Sequence, residues 1–69
     1  MERTALKVFR IQQKMTQEQF AEKIGFSRGY YARLENGERD VTLRFLKALE
    51  TAFDITFLEA QKLALRDTE

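Results

Sequence analysis

Apolar residues recur along this chain at intervals of three and four positions, the period of an α-helix that packs on one side. Period-two alternation and β-branched runs are scarce, and the chain contains no proline. No stretch has the composition of a linker, an internal repeat or a low-complexity segment. The pattern therefore predicts an all-α protein.

Residues that typically begin or end helices bound five such segments. Thr16 and Thr56 stand three positions before Gln19 and Glu59, the spacing of a capping box. Gly25 ends the second segment, because glycine adopts the left-handed conformation that often follows a helix. The five predicted helices cover approximately residues 4–13, 16–25, 27–36, 42–53 and 56–66.

Helices 2 and 3 are connected by a short turn that contains Gly25. Two helices that cross at ~90–120° over such a turn form a helix-turn-helix unit. Ala21 is small where the two helices approach each other, and Leu34 supplies an apolar position beyond the turn. The spacing therefore predicts a helix-turn-helix at helices 2 and 3.

The predicted third helix has a core face and a polar face. On a helical wheel, Tyr31 and Leu34 point toward a core. The opposite face combines two guanidinium groups and an amide with two residues of little or no side chain: Arg28, Gly29, Ala32, Arg33 and Asn36. Arginine can donate two hydrogen bonds to a guanine edge, and no bulky side chain on this face blocks the approach of a DNA groove. The alternative is an ordinary solvated face, with Gly29 as neutral drift.

Two further polar side chains flank this face. Tyr30 lies beside Arg33 on the wheel, where its hydroxyl could reach a phosphate or sugar, or where it could be an ordinary boundary tyrosine. Gln17, in the first turn of helix 2, has an amide suited to a phosphate; the alternative is a solvated residue.

Glu35 falls at the edge of the core face of helix 3. A buried carboxylate needs a partner, since an unpaired buried charge is costly. Arg10 of helix 1 is the predicted partner, and the pair would fix helix 1 against helix 3.

Helix 5 has an apolar arc wider than the ~100° stripe that packing on one side requires. The surplus predicts a partner surface, and a second copy of the chain is the simplest partner. The predicted dimer contacts are Phe57, Leu58, Leu63 and Leu65. The alternative is that a small domain simply leaves some apolar atoms exposed.

Length and composition limit the other possibilities. Sixty-nine residues are expected to form a single domain over 1–69. The absence of cysteine and histidine excludes disulfides and a Cys/His zinc site, and removes the commonest general base and the thiol nucleophile. We therefore expect no metal, no cofactor and no enzymatic activity. The apolar runs are too short to span a membrane or to act as a secretory signal, which predicts a soluble, cytoplasmic protein.

The net charge of +1 conceals an uneven distribution. Residues 1–47 carry ten Lys and Arg against six Asp and Glu, whereas residues 48–69 carry two against five. A basic first two-thirds favours a polyanionic partner on one side of the molecule.

The stretch from Met15 to Gly37 resembles the lambda-repressor-like helix-turn-helix family, also called the xenobiotic-response-element family. The likeness extends upstream through Leu6 and Arg10 and downstream through residues 42–58. The signature residues are Thr16, Gln17, Glu18, Ala21, Gly25, Ser27, Leu34, Glu35 and Gly37.

The resemblance implies a compact five-helix domain that binds double-stranded operator DNA, usually as a homodimer. The 69 residues leave no room for the second domain of larger repressors, so we expect no small-molecule ligand. By position, the resemblance implies base contacts from Ser27, Arg28, Gly29 and Arg33. It also implies phosphate contacts from Gln17, Asn36, Arg39 and Arg44. The predicted Arg10–Glu35 pair matches a salt bridge of phage repressors in this family. A protein-interaction module, such as an antitoxin or adaptor with helix 5 as its surface, is the alternative function.

Three positions depart from the family pattern. The loop after Gly37 lacks the usual proline, and its sequence over residues 38–43 resembles that of the controller proteins of restriction–modification systems. Tyr31 replaces a small aliphatic residue, which predicts that the recognition helix is shifted in its position against the core. Asp54 replaces a common glycine, which predicts a different cap at the end of helix 4.

Overall fold

The structure is a computed structural model that describes residues 2–65. It contains the five helices α1 (Thr4–Gln12), α2 (Gln17–Ile24), α3 (Arg28–Glu35), α4 (Leu43–Phe53) and α5 (Phe57–Leu65). The all-α class and the five helices are therefore confirmed. Gln13 and Asn36, predicted as the last residues of helices 1 and 3, are instead C-caps. Arg66, the predicted end of helix 5, lies outside the described residues.

The residues that precede four of the helices carry a hydroxyl group. Each hydroxyl accepts a hydrogen bond from the backbone amide three residues later: Thr16, Ser27, Thr42 and Thr56. The side chains of Gln19 and Glu59 return the bond to the backbone N–H of Thr16 and Thr56. Both predicted capping boxes are thus present, which satisfies amides that a helix start otherwise leaves unpaired.

Residues in the left-handed conformation lie at or directly after the C-caps of four helices: Lys14, Gly25, Gly37 and Asp54. Gly25 follows α2 with φ of 80°. Asp54 follows α4 with φ of 53° and ψ of 45°, although it carries a side chain. Aspartate tolerates this conformation better than most residues do. The chain therefore keeps the glycine-type cap geometry at Asp54 with a different residue.

The core is formed by side chains from all five helices. Its fully buried members are Leu6, Phe20, Tyr31, Leu34, Phe45, Leu49, Ala60 and Ala64. Phe20 is central to an aromatic cluster, stacking on Phe53 at 4.9 Å and contacting Tyr31 at 4.8 Å between ring centroids. Because these rings come from α2, α3 and α4, they seat α3 firmly against its neighbours. No helix within residues 2–65 has both the length and the apolarity needed to cross a bilayer.

Arg3 is a buried arginine that the sequence analysis did not single out. Its side chain is only 6% exposed. Its Nε donates to the carbonyl oxygen of Ala64 at 3.0 Å and its Nη1 donates to that of Leu34. Leu34 lies in the last turn of α3, where the helix dipole is negative, and Ala64 lies in the last described turn of α5. Arg3 therefore ties the ends of these two helices to the start of α1.

Candidate nucleic-acid interface

The outer face of α3 is open to solvent. Arg28, Gly29 and Arg33 are exposed, while Tyr31 and Leu34 on the opposite face are completely buried. The helix therefore presents the face that the wheel predicted. A Cβ added at Gly29 would meet no atom within 4 Å, so the fold itself does not require a glycine there.

The first turn of α3 faces solvent at Ser27. Its Oγ accepts a hydrogen bond from the backbone N–H of Tyr30 at 3.2 Å. Capping uses the hydroxyl oxygen as an acceptor and leaves its proton available for donation to a ligand. Helix starts are also electrostatically favourable for phosphate, so this end of α3 suits close approach to DNA.

A buried polar network is centred on Glu35, the last residue of α3, which is 1% exposed. Its carboxylate accepts from Arg10 Nε at 2.8 Å and from Arg10 Nη2 at 3.2 Å. The hydroxyl of Tyr31 donates to it at 2.7 Å and the amide of Gln17 donates at 3.0 Å. The structure thus brings Arg10 and Glu35 together as a bidentate ion pair and adds two donors to that pair.

The network fixes the protonation of its members. Burial by itself raises the pKa of Glu35, but the hydrogen bonds from Arg10, Tyr31 and Gln17 outweigh it and lower the pKa below its ordinary value. The bond to Glu35 raises the pKa of Arg10. Burial, and then the bond to Glu35, raises the pKa of the Tyr31 phenol. The carboxylate, the guanidinium and the neutral phenol are therefore all favoured around neutral pH.

Gln17 occupies a different position from the one expected of a solvated first-turn residue. Its side chain is half-buried, and its amide nitrogen is bound to Glu35. The predicted phosphate contact would therefore have to use the remaining amide hydrogen or the backbone N–H of Gln17, since a phosphate only accepts hydrogen bonds. The sequence could not reveal this bond because Glu35 lies 18 residues away.

Four arginines stand on or beside the candidate surface, and all are exposed: Arg28, Arg33, Arg39 and Arg44. Within residues 2–65, none of them has an ion-pair or hydrogen-bond partner for its guanidinium. Asn36, at the end of α3, is also exposed. Uncompensated guanidinium groups favour a polyanion, since each can neutralise a phosphate.

Arg44 alone of these four contacts an aromatic ring in the described part of the chain. Its Cζ lies 5.3 Å from the centroid of the Phe26 ring. Tyr30 stacks on the same ring, with centroids 5.4 Å apart and planes inclined by 13°. The sequence analysis missed Phe26, although an aromatic residue inside a tight turn beside a basic helix start was a usable signal. These residues border a cleft of about 600 Å³ lined by Gly25, Phe26, Ser27, Tyr30, Thr42 and Arg44.

The predicted dimer residues of α5 fall into two groups. Phe57 and Leu65 are half-buried and pack against the core of the same chain. Leu58 is 60% exposed. Leu63 is half-buried and lines a largely apolar groove of about 310 Å³ with Phe9 and other residues of α1 and α5. The apolar surface of α5 that the core leaves uncovered is thus smaller than the four predicted residues suggested, and it includes Leu58 and Leu63.

Comparison with known proteins supplies an independent line of evidence. A family model described as helix-turn-helix matches residues 6–59. The control protein C.MunI of a Mycoplasma species is 40% identical over 45 residues, which cover 65% of this chain and 61% of the relative's own length. The matched stretch thus spans about three fifths of that relative. No solved structure gives a significant match.

Proposed function

The chain belongs to the helix-turn-helix family, in its lambda-repressor-like branch of DNA-binding regulators, and we propose that it acts as a homodimer on a palindromic operator in double-stranded DNA. Its similarity to a control protein and the sequence of its loop over residues 38–43 support a role as a repressor or autoregulatory controller in the cytoplasm, such as the controller of a restriction–modification system. Two copies of α3 would occupy major grooves about one DNA turn apart, ~34 Å.

The observation that carries this proposal is the outer face of α3. Two exposed guanidinium groups flank a position without a side chain, and the helix beneath them is held by the Glu35 network and the aromatic core. A rigid platform matters because base readout depends on donors held at fixed positions.

The proposed contacts divide into two classes. Base edges would be read by Ser27, Arg28, Gly29 and Arg33. Phosphates would be bound by Gln17, Tyr30, Asn36, Arg39 and Arg44. Phosphate contacts set the register and supply salt-dependent affinity, whereas contacts to base edges distinguish one sequence from another.

A selection from random duplexes tests the proposal. We expect the recovered sites to share a palindrome whose half-sites are about one helical turn apart. Titration of the selected site and of a scrambled duplex at several salt concentrations would then separate specific from non-specific binding. Absence of duplex binding even at low salt would refute the proposal and favour the protein-interaction alternative.

A further inference from the structure

Phe26 holds a fixed position between the helix-turn-helix and α4. Its backbone N–H donates to the carbonyl oxygen of Ala21 at 2.9 Å, which anchors the residue just after α2. Its ring meets the ring of Phe45 edge-on, with centroids 5.7 Å apart. Phe45 is completely buried in the core. The ring is therefore packed against the core on the protein side.

The guanidinium of Arg44 rests against this ring at the surface. Arg44 is the second residue of α4 and is exposed, and its guanidinium has no hydrogen-bond or ion-pair partner within residues 2–65. This cation–π contact takes up no N–H donor of the guanidinium in a hydrogen bond, so the donors remain available for a phosphate. The contact with Phe26 thus restrains Arg44 without consuming its donors.

The cleft places this guanidinium beside the recognition helix. Ser27, Phe26, Tyr30 and Arg44 line the same opening. When the start of α3 enters a major groove, the sugar–phosphate strand that borders the groove passes next to that start. Because Ser27 at this start and Arg44 border one cleft, such a strand would also pass Arg44.

We infer that Phe26 is a positioning residue for DNA binding, which holds the Arg44 guanidinium ready to bind a phosphodiester at the edge of the recognised groove. The inference rests on the proposed function. In the free protein, the contact with Phe26 already restricts the Arg44 side chain. Less conformational entropy is therefore lost when Arg44 binds a phosphate.

The first test changes Arg44 without touching the core. Arg44→Lys keeps the charge and replaces the planar guanidinium, with its five N–H donors, by an ammonium with three. We expect affinity for the selected operator and for random duplex to fall by a similar factor, roughly 3- to 10-fold, with an unchanged salt dependence. In Arg44→Ala, we expect the slope of log K against log salt to decrease by about one as well. Lys23→Ala is the matched control, since Lys23 lies over the ring of Phe53 instead, and should leave both quantities unchanged.

The second test is a double-mutant cycle between Phe26 and Arg44. Phe26→Leu should weaken binding about as much as Arg44→Lys in the normal background, and Phe26→Tyr should not. In the Arg44→Ala background, Phe26→Leu should have no further effect. Proton NMR of the free protein supplies a readout of the contact itself: Arg44 side-chain protons should be shifted by the ring current and should return to ordinary values in Phe26→Leu.

The outcomes separate the inference from the function on which it rests. If the unaltered protein binds no duplex, both fail. If it binds, but Phe26→Leu leaves binding unchanged or its effect and that of Arg44→Ala are additive, the inference fails and the proposed function stands. Circular dichroism of each variant excludes loss of fold as the cause. If Phe26→Leu does not fold, the NMR shifts of the Arg44 side-chain protons in the unaltered protein decide the question, and shifts at ordinary values would refute the inference.

Discussion

Glu35 illustrates how a single buried charge can be stabilising. Removing a carboxylate from water is costly, and the cost is offset only when several donors surround it. Glu35 has donors from three side chains on α1, α2 and α3. The carboxylate thus joins the three helices at one point beneath the recognition helix.

The hydroxyl of Tyr31 is the donor that can be removed with least disturbance. We expect Tyr31→Phe to lower the free energy of unfolding by about 1–2 kcal/mol, because Glu35 then has one unmet acceptor site in a buried position. Urea unfolding measures the change. Tyr30→Phe is the control, since no partner for its hydroxyl is found in the described residues, and should change stability by less than about 0.5 kcal/mol. Equal effects of the two variants would contradict this account.

The same network predicts a pH dependence of stability. The pKa of Glu35 is lowered in the folded protein, so its contribution is present above the ordinary value of 4.5 and is lost as the pH falls through the folded value. The pKa of Tyr31 is raised, so its contribution is present below 10.0 and is lost as the pH rises beyond it. Unfolding free energies measured from pH 3 to pH 11 should fall at both ends. In Tyr31→Phe the alkaline decrease should shrink, and an unaltered alkaline limb would argue against the assignment.

Arg33 belongs to the exposed face, and its effect should therefore be on binding rather than on folding. We expect Arg33→Ala to weaken binding to the selected operator by ~1–3 kcal/mol and to relax the preference at one base position, with unfolding unchanged. Repeating the random-duplex selection with the variant measures the relaxation. An equal loss on operator and random duplex would assign Arg33 to a phosphate instead.

At the level of the helix, a substitution at Gly29 should change the stability of the fold and the affinity for DNA in opposite directions. The site is exposed and open, so Gly29→Ala should raise the free energy of unfolding by ~0.5–1 kcal/mol through better helix propensity. If the backbone of α3 approaches DNA here, the added methyl group should at the same time reduce operator affinity by about 10-fold or more. Thermal unfolding and operator titration of the same preparation measure both quantities. A more stable variant with unchanged affinity would mean that Gly29 is neutral drift.

Element boundaries were predictable because they depend on near neighbours. Thr16 and Thr56 form capping boxes with residues three positions away, and such patterns can be seen in a single sequence. The outward side of α3 was also predictable, since its two faces follow from a fixed helical period.

Contacts between distant segments were only partly predictable. Arg3 binds a carbonyl 61 residues away, and nothing in its local sequence separates it from an exposed arginine. Arg10 and Glu35 could be paired because one carboxylate at a core edge needed a cation. The addition of Gln17 to that pair depended on the crossing of α2 over α3, which no periodicity specifies.

At the scale of the whole molecule, the proposed DNA-binding arginines and the proposed dimer residues lie on different elements. Among residues 2–65, the exposed arginines lie on α3, on the loop after it and at the start of α4, whereas Leu58 and Leu63 lie on α5. This separation would allow one copy to contact DNA and a second copy at the same time without competition between the two surfaces.

Dimer formation through α5 can be tested with matched leucines. Leu58→Asp should raise the dissociation constant of a dimer by at least about 10-fold and weaken operator binding, because a charge would enter an apolar interface. Leu43→Asp is the control for self-association alone, because it adds a charge beside Arg44: Leu43 is 62% exposed against 60% for Leu58, but lies at the start of α4. Sedimentation velocity measures the association. A dimer that tolerates Asp at position 58 would place the interface elsewhere.

The buried guanidinium of Arg3 has a consequence for the geometry of such an assembly. It binds carbonyl oxygens of α3 and α5, and it is buried outside both the proposed DNA-binding face and the proposed dimer surface. We expect Arg3→Ala to loosen the angle between α3 and α5 while leaving both exposed surfaces chemically intact. In a dimer on DNA, this change would alter the preferred distance between half-sites rather than their sequence.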